Sequence, residues 1–450
     1  MLRVLRRYFS PAPASTRLSA EETARQYPWF RWRIMESTFI GYGTFYLVRN
    51  NLSPVAKEIE GALQYNHSTI GDILAITAIS YGVSKFMMGS VSDRCDARKF
   101  MAAGLLLTAC CNFAFGSVAN YYVHLALWSL NGFAQGMGWP PCGRSIGPWF
   151  SENERGLKFS IWNTSHNVGG GIAGYLASWA VAEYGGWQYA FYVPGALAAM
   201  GAAYLLLRLR DTPQSVGLPP VEEYRNDYPS GDSDPESRER TLTARELFFD
   251  KVLTNKYVWL LAFANFFAYI ARYSMLDWGP TYLREVKDAT LQQGGLAVLV
   301  NEFGGIPSTI FLGWVSDRLG GRRGMVAALC TIPIFACFAV LVYTPKGYLW
   351  LDFTMLALIG LFVYPVINLI VIAALDVVSK KAIGTAAGFI GLFGYIARTV
   401  QAKGFGWAAH HYTPLYGEEV AWNIILYTIL GCAEITGVLL ALLWRLTPRA

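Results

Sequence analysis

Charge is what this chain of 450 residues is short of. Only 15% of it is Asp, Glu, Lys or Arg, against 54% hydrophobic residues, whereas a water-soluble domain carries roughly 25% charged residues. So little polar surface cannot face water around a core of this size. The apolar residues also run in blocks: 101–118, 189–207, 324–342 and 423–443 hold hardly a charge. Each block is close to the ~20 residues that a helix needs to cross hydrocarbon. One such block fits a buried core helix; a dozen along one chain imply an integral membrane protein. Paired cysteines are missing as well. Cys95, Cys110, Cys111, Cys142, Cys330, Cys337 and Cys432 show no CxxC spacing and mostly sit in apolar blocks, which excludes a disulfide framework or thiolate metal site. The first 33 residues are basic and polar, so no cleavable signal is expected. No nucleophile–base pair or metal-ligand set is evident, and neither an enzyme nor a cofactor is expected. The net charge of +6 gathers at helix ends, unlike the clustered basic face of a nucleic-acid binder.

The hydropathy pattern predicts an all-α polytopic protein with twelve transmembrane spans, near 34–55, 69–90, 99–119, 122–141, 158–183, 188–207, 257–281, 291–314, 324–343, 348–372, 382–408 and 422–444. Basic residues mark one side: Arg25, Arg31 and Arg33, then Arg94, Arg98 and Lys99, Arg155 and Lys158, Arg318, Arg322 and Arg323, and Arg445. By the positive-inside rule that side is cytoplasmic and holds both termini. The stretch around 210–253, rich in Pro, Asp, Glu, Arg and Ser, reads as a cytoplasmic linker between halves 1–209 and 254–450. Within it Thr243-Ala-Arg-Glu246 has the form of a capping box opening a surface helix.

The halves repeat each other. Gly89-Ser-Val-Ser-Asp93-Arg94 returns as Gly313-Trp-Val-Ser-Asp317-Arg318, 224 residues on, and Arg49 returns as Arg272, 223 residues on. Two markers at nearly one offset indicate parallel six-helix repeats about an axis along the membrane normal. In the repeated loop Gly permits close helix approach, and the Asp and Arg can pair with each other and with helix ends at a gate.

Arg49 and Arg272 lie at similar depth in spans one and seven. A lone arginine near the bilayer centre costs at least ~2.5–3.5 kcal/mol, so one per half demands a common reason. Facing each other across a cavity and sharing an anion is the simplest, since guanidinium fits phosphate bidentately and stays charged. Pairing with Asp277 or Glu302 is the alternative.

The repeated Gly-x-x-x-Asp-Arg loop resembles the signature of the major facilitator superfamily. Phe45-Tyr-Leu-Val-Arg49-Asn, Gly136-Met-Gly-Trp-Pro-Pro-Cys-Gly143, Trp162-Asn-Thr-Ser-His-Asn-Val-Gly-Gly-Gly171 and Ala268-Tyr-Ile-Ala-Arg272-Tyr-Ser-Met-Leu-Asp277-Trp go further. With Asp211-Thr-Pro-Gln-Ser-Val-Gly-Leu-Pro-Pro220, Glu302-Phe-Gly-Gly-Ile-Pro307 and Gly384-Thr-Ala-Ala-Gly-Phe-Ile-Gly-Leu-Phe-Gly-Tyr395 they cover nearly the whole chain. They resemble the organophosphate/phosphate antiporter family, above all its glycerol-3-phosphate branch. That resemblance implies the major facilitator fold, with Arg49 and Arg272 as the phosphate-binding pair. It places Lys85, His166, Tyr42, Tyr46, Asn163, Tyr269 and Tyr395 around the cavity, and Asp93, Arg94, Asp317, Arg318, Asp277 and Glu302 at gates. Asn163 and His166, three apart, share a helix face, and a histidine there can hydrogen-bond a phosphate oxygen. Lys85, two turns from Asp93, could instead snorkel to the interface.

Span eleven departs from the glycerol-phosphate pattern by adding Arg398 and Lys403. Hexose-phosphate carriers resemble it in a lysine near Lys403, but theirs follows an aspartate one turn earlier, where Thr399 and Val400 stand here. Without that acid, the extra cations are expected to bind substrate and to favour a more anionic one, such as phosphoglycerate or phosphoenolpyruvate. Lys403 could alternatively reach the outer interface. The expected function is exchange of organic for inorganic phosphate by alternating access, by a monomer in a bacterial inner membrane. A hexose-6-phosphate antiporter and a membrane sugar-phosphate sensor are the alternatives.

Overall fold

The structure is a computed structural model and describes residues 8–227, 247–378 and 383–445. The proposed capping box at Thr243–Glu246 lies outside these. Among the described residues there are sixteen α-helices of eight residues or more and no strand. They are α1 (Ala20–Leu47), α2 (Ala56–Leu63), α3 (His67–Ser92), α4 (Ala97–Gly116), α5 (Tyr121–Gln135), α6 (Trp139–Trp149), α7 (Glu152–Asn163) and α8 (Ser165–Tyr184). Then follow α9 (Tyr189–Arg208), α10 (Lys256–Asp277), α11 (Gly279–Val286), α12 (Leu291–Arg318), α13 (Arg323–Tyr343), α14 (Leu349–Asp376), α15 (Ile383–Tyr416) and α16 (Glu418–Ala441).

Helix starts are written in the sequence. Ser19 with Glu22 and Thr290 with Gln293 form capping boxes, and Asn66, Asp96, Asn120 and Asn255 accept from backbone N–H groups of α3, α4, α5 and α10. Each satisfies donors that a helix start leaves free. By length and composition α4, α9, α12, α13, α14 and α16 could cross a membrane. The remaining long helices, α1, α3, α8, α10 and α15, carry most of the Lys, His and Tyr residues of the site described below, with Arg272 on α10, Arg49 just past α1 and Tyr364 on α14.

Four predicted spans are interrupted rather than continuous. Span one stops at Leu47, so Arg49 occupies a turn and not a helix; span four breaks between α5 and α6, span five at Thr164, and span seven at Trp278. Prolines at 54, 140 and 280 account for three of these, because proline lacks the N–H that helix continuation requires. Unwound backbone at membrane depth survives only where its polar groups find partners. Asn112 and Asn131 donate to Val48 O at 3.1 and 2.9 Å, and Gln135 donates to Phe45 O at 3.0 Å. Asn51 in turn donates to Asn112 Oδ1 and Ala190 O, both at 2.8 Å. A buried amide cluster therefore fixes the turn that presents Arg49.

Helices α1–α9 form one half and α10–α16 the other, and they meet chiefly where α3 packs on α15 and α8 on α12. Approach is close: a Cβ on Gly71 would lie 2.7 Å from Ala402 O, and one on Gly295 2.6 Å from Gly174 O. Both crossings lie towards the face opposite the termini, called here the far face. At the terminal face, buried Asp211 draws together the N-terminal segment, α4 and α6, accepting from the Ala12 and Ala97 N–H groups and from Arg144, each at 3.2 Å.

Candidate functional site: a cationic cavity between the halves

A cavity of about 650 Å³ opens between the halves. It runs from Tyr46, His166 and Arg272 in the middle of the molecule to Trp314 and Asp317 near the terminal face. Its lining brings together Tyr42, Tyr46, Lys85, Asn163, His166, Tyr269, Arg272 and Tyr395 from the sequence reading, and adds Tyr81, Tyr273 and Tyr364.

The two central arginines are held alike. Arg49 lies with its guanidinium carbon 4.3 and 4.6 Å from the ring centroids of Tyr46 and Tyr81; Arg272 lies 4.9 and 4.4 Å from those of Tyr273 and Tyr364. Electron-rich ring faces hold a cation without neutralising it. Among the described residues neither has a carboxylate within salt-bridge distance, and in each the buried Nε has no hydrogen-bond partner. Arg272 reaches the cavity wall, whereas Arg49 lies beneath Tyr46 and Tyr81, only 4% exposed. Both are within Coulombic reach of Tyr46, His166 and Glu302.

His166 sits just past the break at Thr164 and its Nδ1–H donates to Asn163 O, a carbonyl the break releases. With that proton committed, a neutral ring keeps Nε2 as an acceptor. A hydroxyl or protonated phosphate oxygen is the complement it calls for. Lys85 points into the cavity rather than to the interface, its Nζ 5.5 Å from the Trp139 ring and 5.7 Å from that of Tyr395. Glu302 is buried at the centre, accepting from the Tyr364 hydroxyl and, across the halves, from Asn167 Nδ2 at 3.0 Å.

The expectation that the span-eleven cations lack an acid is wrong, because the acids come from other helices. Arg398 Nη2 and Nε donate to the two carboxylate oxygens of Asp277 at 2.7 and 3.2 Å, and Gln401 adds a third donor at 2.7 Å. Asp277 thus belongs to Arg398 and to neither Arg49 nor Arg272. This pair sits one layer behind the cavity, with Arg398 4.2 Å from the centroid of Tyr273. Lys403 enters neither the cavity nor the interface alone; it pairs with Asp72 of α3. The repeated loop also differs from expectation, since its Asp and Arg do not pair with each other. Asp93 and Arg94 are exposed, Asp317 pairs with Arg323, and Arg318 lies over Trp314 at 4.5 Å. Asp317 and Arg318, adjacent on α12, diverge by about 100°, whereas Arg323 begins the next helix.

Comparison with known proteins decides the family. Residues 38–402 match the model of the major facilitator superfamily. The chain is 40% identical to the glycerol-3-phosphate transporter of Bacillus subtilis (strain 168), over 98% of both chains. To a probable hexose phosphate transport protein of Chlamydia pneumoniae it is 35% identical, over 100% of this chain and 99% of the other. The chain belongs to the organophosphate/phosphate antiporter family of the major facilitator superfamily. The backbone agrees: a bacterial homologue of the human lysosomal transporter Spinster, solved inward-facing and unoccupied, superposes with a TM-score of 0.73 at 13% identity, covering 94% of this chain and 99% of that one. This carrier is therefore an integral multi-pass membrane protein and not an enzyme.

Proposed function

We propose that this carrier exchanges a small phosphate monoester for inorganic phosphate by alternating access, acting as a monomer in a bacterial plasma membrane with both termini cytoplasmic. The observation that carries this reading is the pair Arg49 and Arg272, one per half, each cradled by tyrosines and, among the described residues, each without a carboxylate partner. A phosphate dianion taking both would draw the halves together; without it two like charges oppose closure. Closure that needs an anion makes net movement an exchange. One chain lines the cavity from both halves, which supports the monomer as the transporting unit. The basic residues of the terminal face support a cytoplasmic location for it; on that reading the cavity opens inward, with 210–253 as the linker between the halves.

Glycerol-3-phosphate is the substrate we favour. The relative at 40% identity is named for it, and Asp277 and Asp72 neutralise the cations that argued for a more acidic substrate. A hexose phosphate is the second reading, favoured by the second relative and by a buried aspartate beside a span-eleven cation. The test is uptake into phosphate-loaded proteoliposomes of labelled glycerol-3-phosphate, glucose-6-phosphate and 3-phosphoglycerate. Uptake of none, with binding retained, would overturn transport and favour a sensor.

A further inference from the structure

Charges that the anion site does not use clasp the halves together at the far face. Arg284 of α11 donates to both carboxylate oxygens of Glu58 on α2, at 2.8 and 2.6 Å. Beside it, Glu285 accepts from Trp422 Nε1 at 2.8 Å and faces two cationic groups of the other half, Lys57 Nζ at 3.5 Å and His67 Nε2 at 3.3 Å. The other edge of the same imidazole is taken as well: His67 Nδ1 lies 2.7 Å from Glu60 Oε1. With one carboxylate in hydrogen-bond contact at Nδ1 and another at ion-pair distance from Nε2, the ring is best matched as the imidazolium, which alone has a proton on each nitrogen. His67 opens α3, outside the predicted span, and it links an acid of its own half to an acid of the other.

We propose that His67 is a protonated clasp between the halves: as imidazolium held by Glu60 and Glu285 it keeps the far face shut, and losing its proton releases that face to open. The inference rests on the alternating-access reading above and adds a control to it. Two acids, one lysine and two indoles surround the ring among the described residues. Glu60 comes from α2 and Glu285 from α11, with Lys57 behind Glu285. Trp278 and Trp422 stand 6.1 and 6.2 Å away as neutral walls, and α15 brings Gly406 against the His67 carbonyl.

Burial alone would push the His67 pKa down, but the hydrogen bonds and charges of Glu285 and Glu60 overcome it and raise it to about 10. When the far face opens, Glu285 leaves with the other half, and the ring returns towards its ordinary value near 6.5. The closed state thus binds the proton more tightly. Its advantage is complete below the open-state pKa and is lost as pH rises towards about 10. Between these values the open-to-closed ratio grows by up to about tenfold per pH unit. The same three residues bring donor atoms within 4.8 Å of one another. A metal ion, however, needs one bare nitrogen facing both acids, and here the acids take opposite edges of the ring.

The experiment is double electron–electron resonance on the full-length chain in lipid nanodiscs. Spin labels go at exposed Gly61 and Glu418, with the seven native cysteines replaced. From about pH 6 to about pH 9 the long-distance, far-face-open population should rise at least tenfold relative to the closed one. His67→Gln and, independently, Glu285→Gln should flatten that response. An unchanged distribution with pH, or a full response in His67→Gln, overturns the clasp. Opening by EDTA at the lower pH, or closure by zinc at the higher pH that His67→Gln lacks, overturns it in favour of a metal site. Labelled-phosphate exchange is measured on the same protein at one pH. Exchange without a pH-dependent distance rejects the clasp alone, whereas failed exchange rejects the transport reading.

Discussion

At the residue scale, two kinds of buried arginine do different work. Among the described residues Arg49 and Arg272 have aromatic faces but no carboxylate within salt-bridge distance, and so remain available to an anion; Arg398 gives Nε and Nη2 to the two carboxylate oxygens of Asp277 and is spent. Replacing Arg49 or Arg272 by lysine keeps the charge and loses the bidentate fork. Each variant should lose phosphate exchange by about 100-fold or more, which is ~2.7 kcal/mol, while keeping the elution position of the unmodified protein on size exclusion. Near-normal exchange in both would remove the binding-site reading. The Asp277–Arg398 pair makes the opposite kind of prediction. Asp277→Asn unmasks a cation behind Tyr273, and a unit charge some 8 Å away at an effective dielectric of ~20 is worth about 2 kcal/mol. Competition against labelled phosphate should then shift about tenfold towards 3-phosphoglycerate over glycerol-3-phosphate. Arg398→Ala instead strands a buried aspartate, at a cost of about 3–5 kcal/mol, and should appear first as a lowered melting temperature. If Asp277→Asn leaves the inhibition order unchanged, the pair is purely structural.

At the element scale, the site is built from helix ends more than from helix faces. Arg49 stands on a turn, and His166 follows a break whose freed carbonyl fixes its tautomer. This design needs dedicated partners, which Asn112, Asn131 and Gln135 supply to the end of α1. Asn131→Leu should leave Val48 O one donor poorer in an apolar setting, a loss of about 1–3 kcal/mol, and should weaken phosphate affinity although it touches no substrate. Isothermal titration with phosphate beside a thermal melt would separate this from a purely global effect. Ser53 shows how elements of opposite halves meet beyond the site: its hydroxyl lies 2.9 Å from Leu276 O and 2.6 Å from Asp277 O. Gly295, against Gly174, is where α12 crosses α8. A leucine there cannot be accommodated without parting the halves at the far face, so Gly295→Leu should raise the far-face-open population and slow exchange.

At the scale of the whole molecule, the halves are joined at the far face and parted at the terminal one. Glu58–Arg284, Glu285 with Lys57 and His67, and Asp72–Lys403 close one end, while the cavity widens towards Trp314 and Asp317 at the other. The pairs that close this end are ones that the reverse rocking motion must break. Transport should therefore be tightly coupled exchange: vesicles loaded with gluconate in place of phosphate should take up little labelled substrate. Robust uptake from such vesicles would point to symport instead.

Much of this was legible in the sequence, for reasons that differ between features. Apolar runs of membrane-crossing length and a loop repeated with a matching arginine depend only on order along the chain, and they determined the span number, the two halves and the central arginine pair. The Tyr, His and Lys residues of the cavity wall were reachable through family motifs. Tyr81 lies one turn before Lys85 and Tyr273 directly follows Arg272, signals that were present but weak among 26 tyrosines. What the chain order could not supply was pairing between distant helices. Asp277 lies 121 residues from Arg398, and Asp72 lies 331 from Lys403; local spacing sees only acids one turn away. Those two contacts convert what read as surplus positive charge into neutral pairs and reverse the substrate argument. Helix breaks were hidden for a related reason, because an apolar run tolerates a lost backbone hydrogen bond only where a distant amide replaces it. Sequence determined which charges enter the membrane; tertiary structure alone decided which of them remain free to hold an anion.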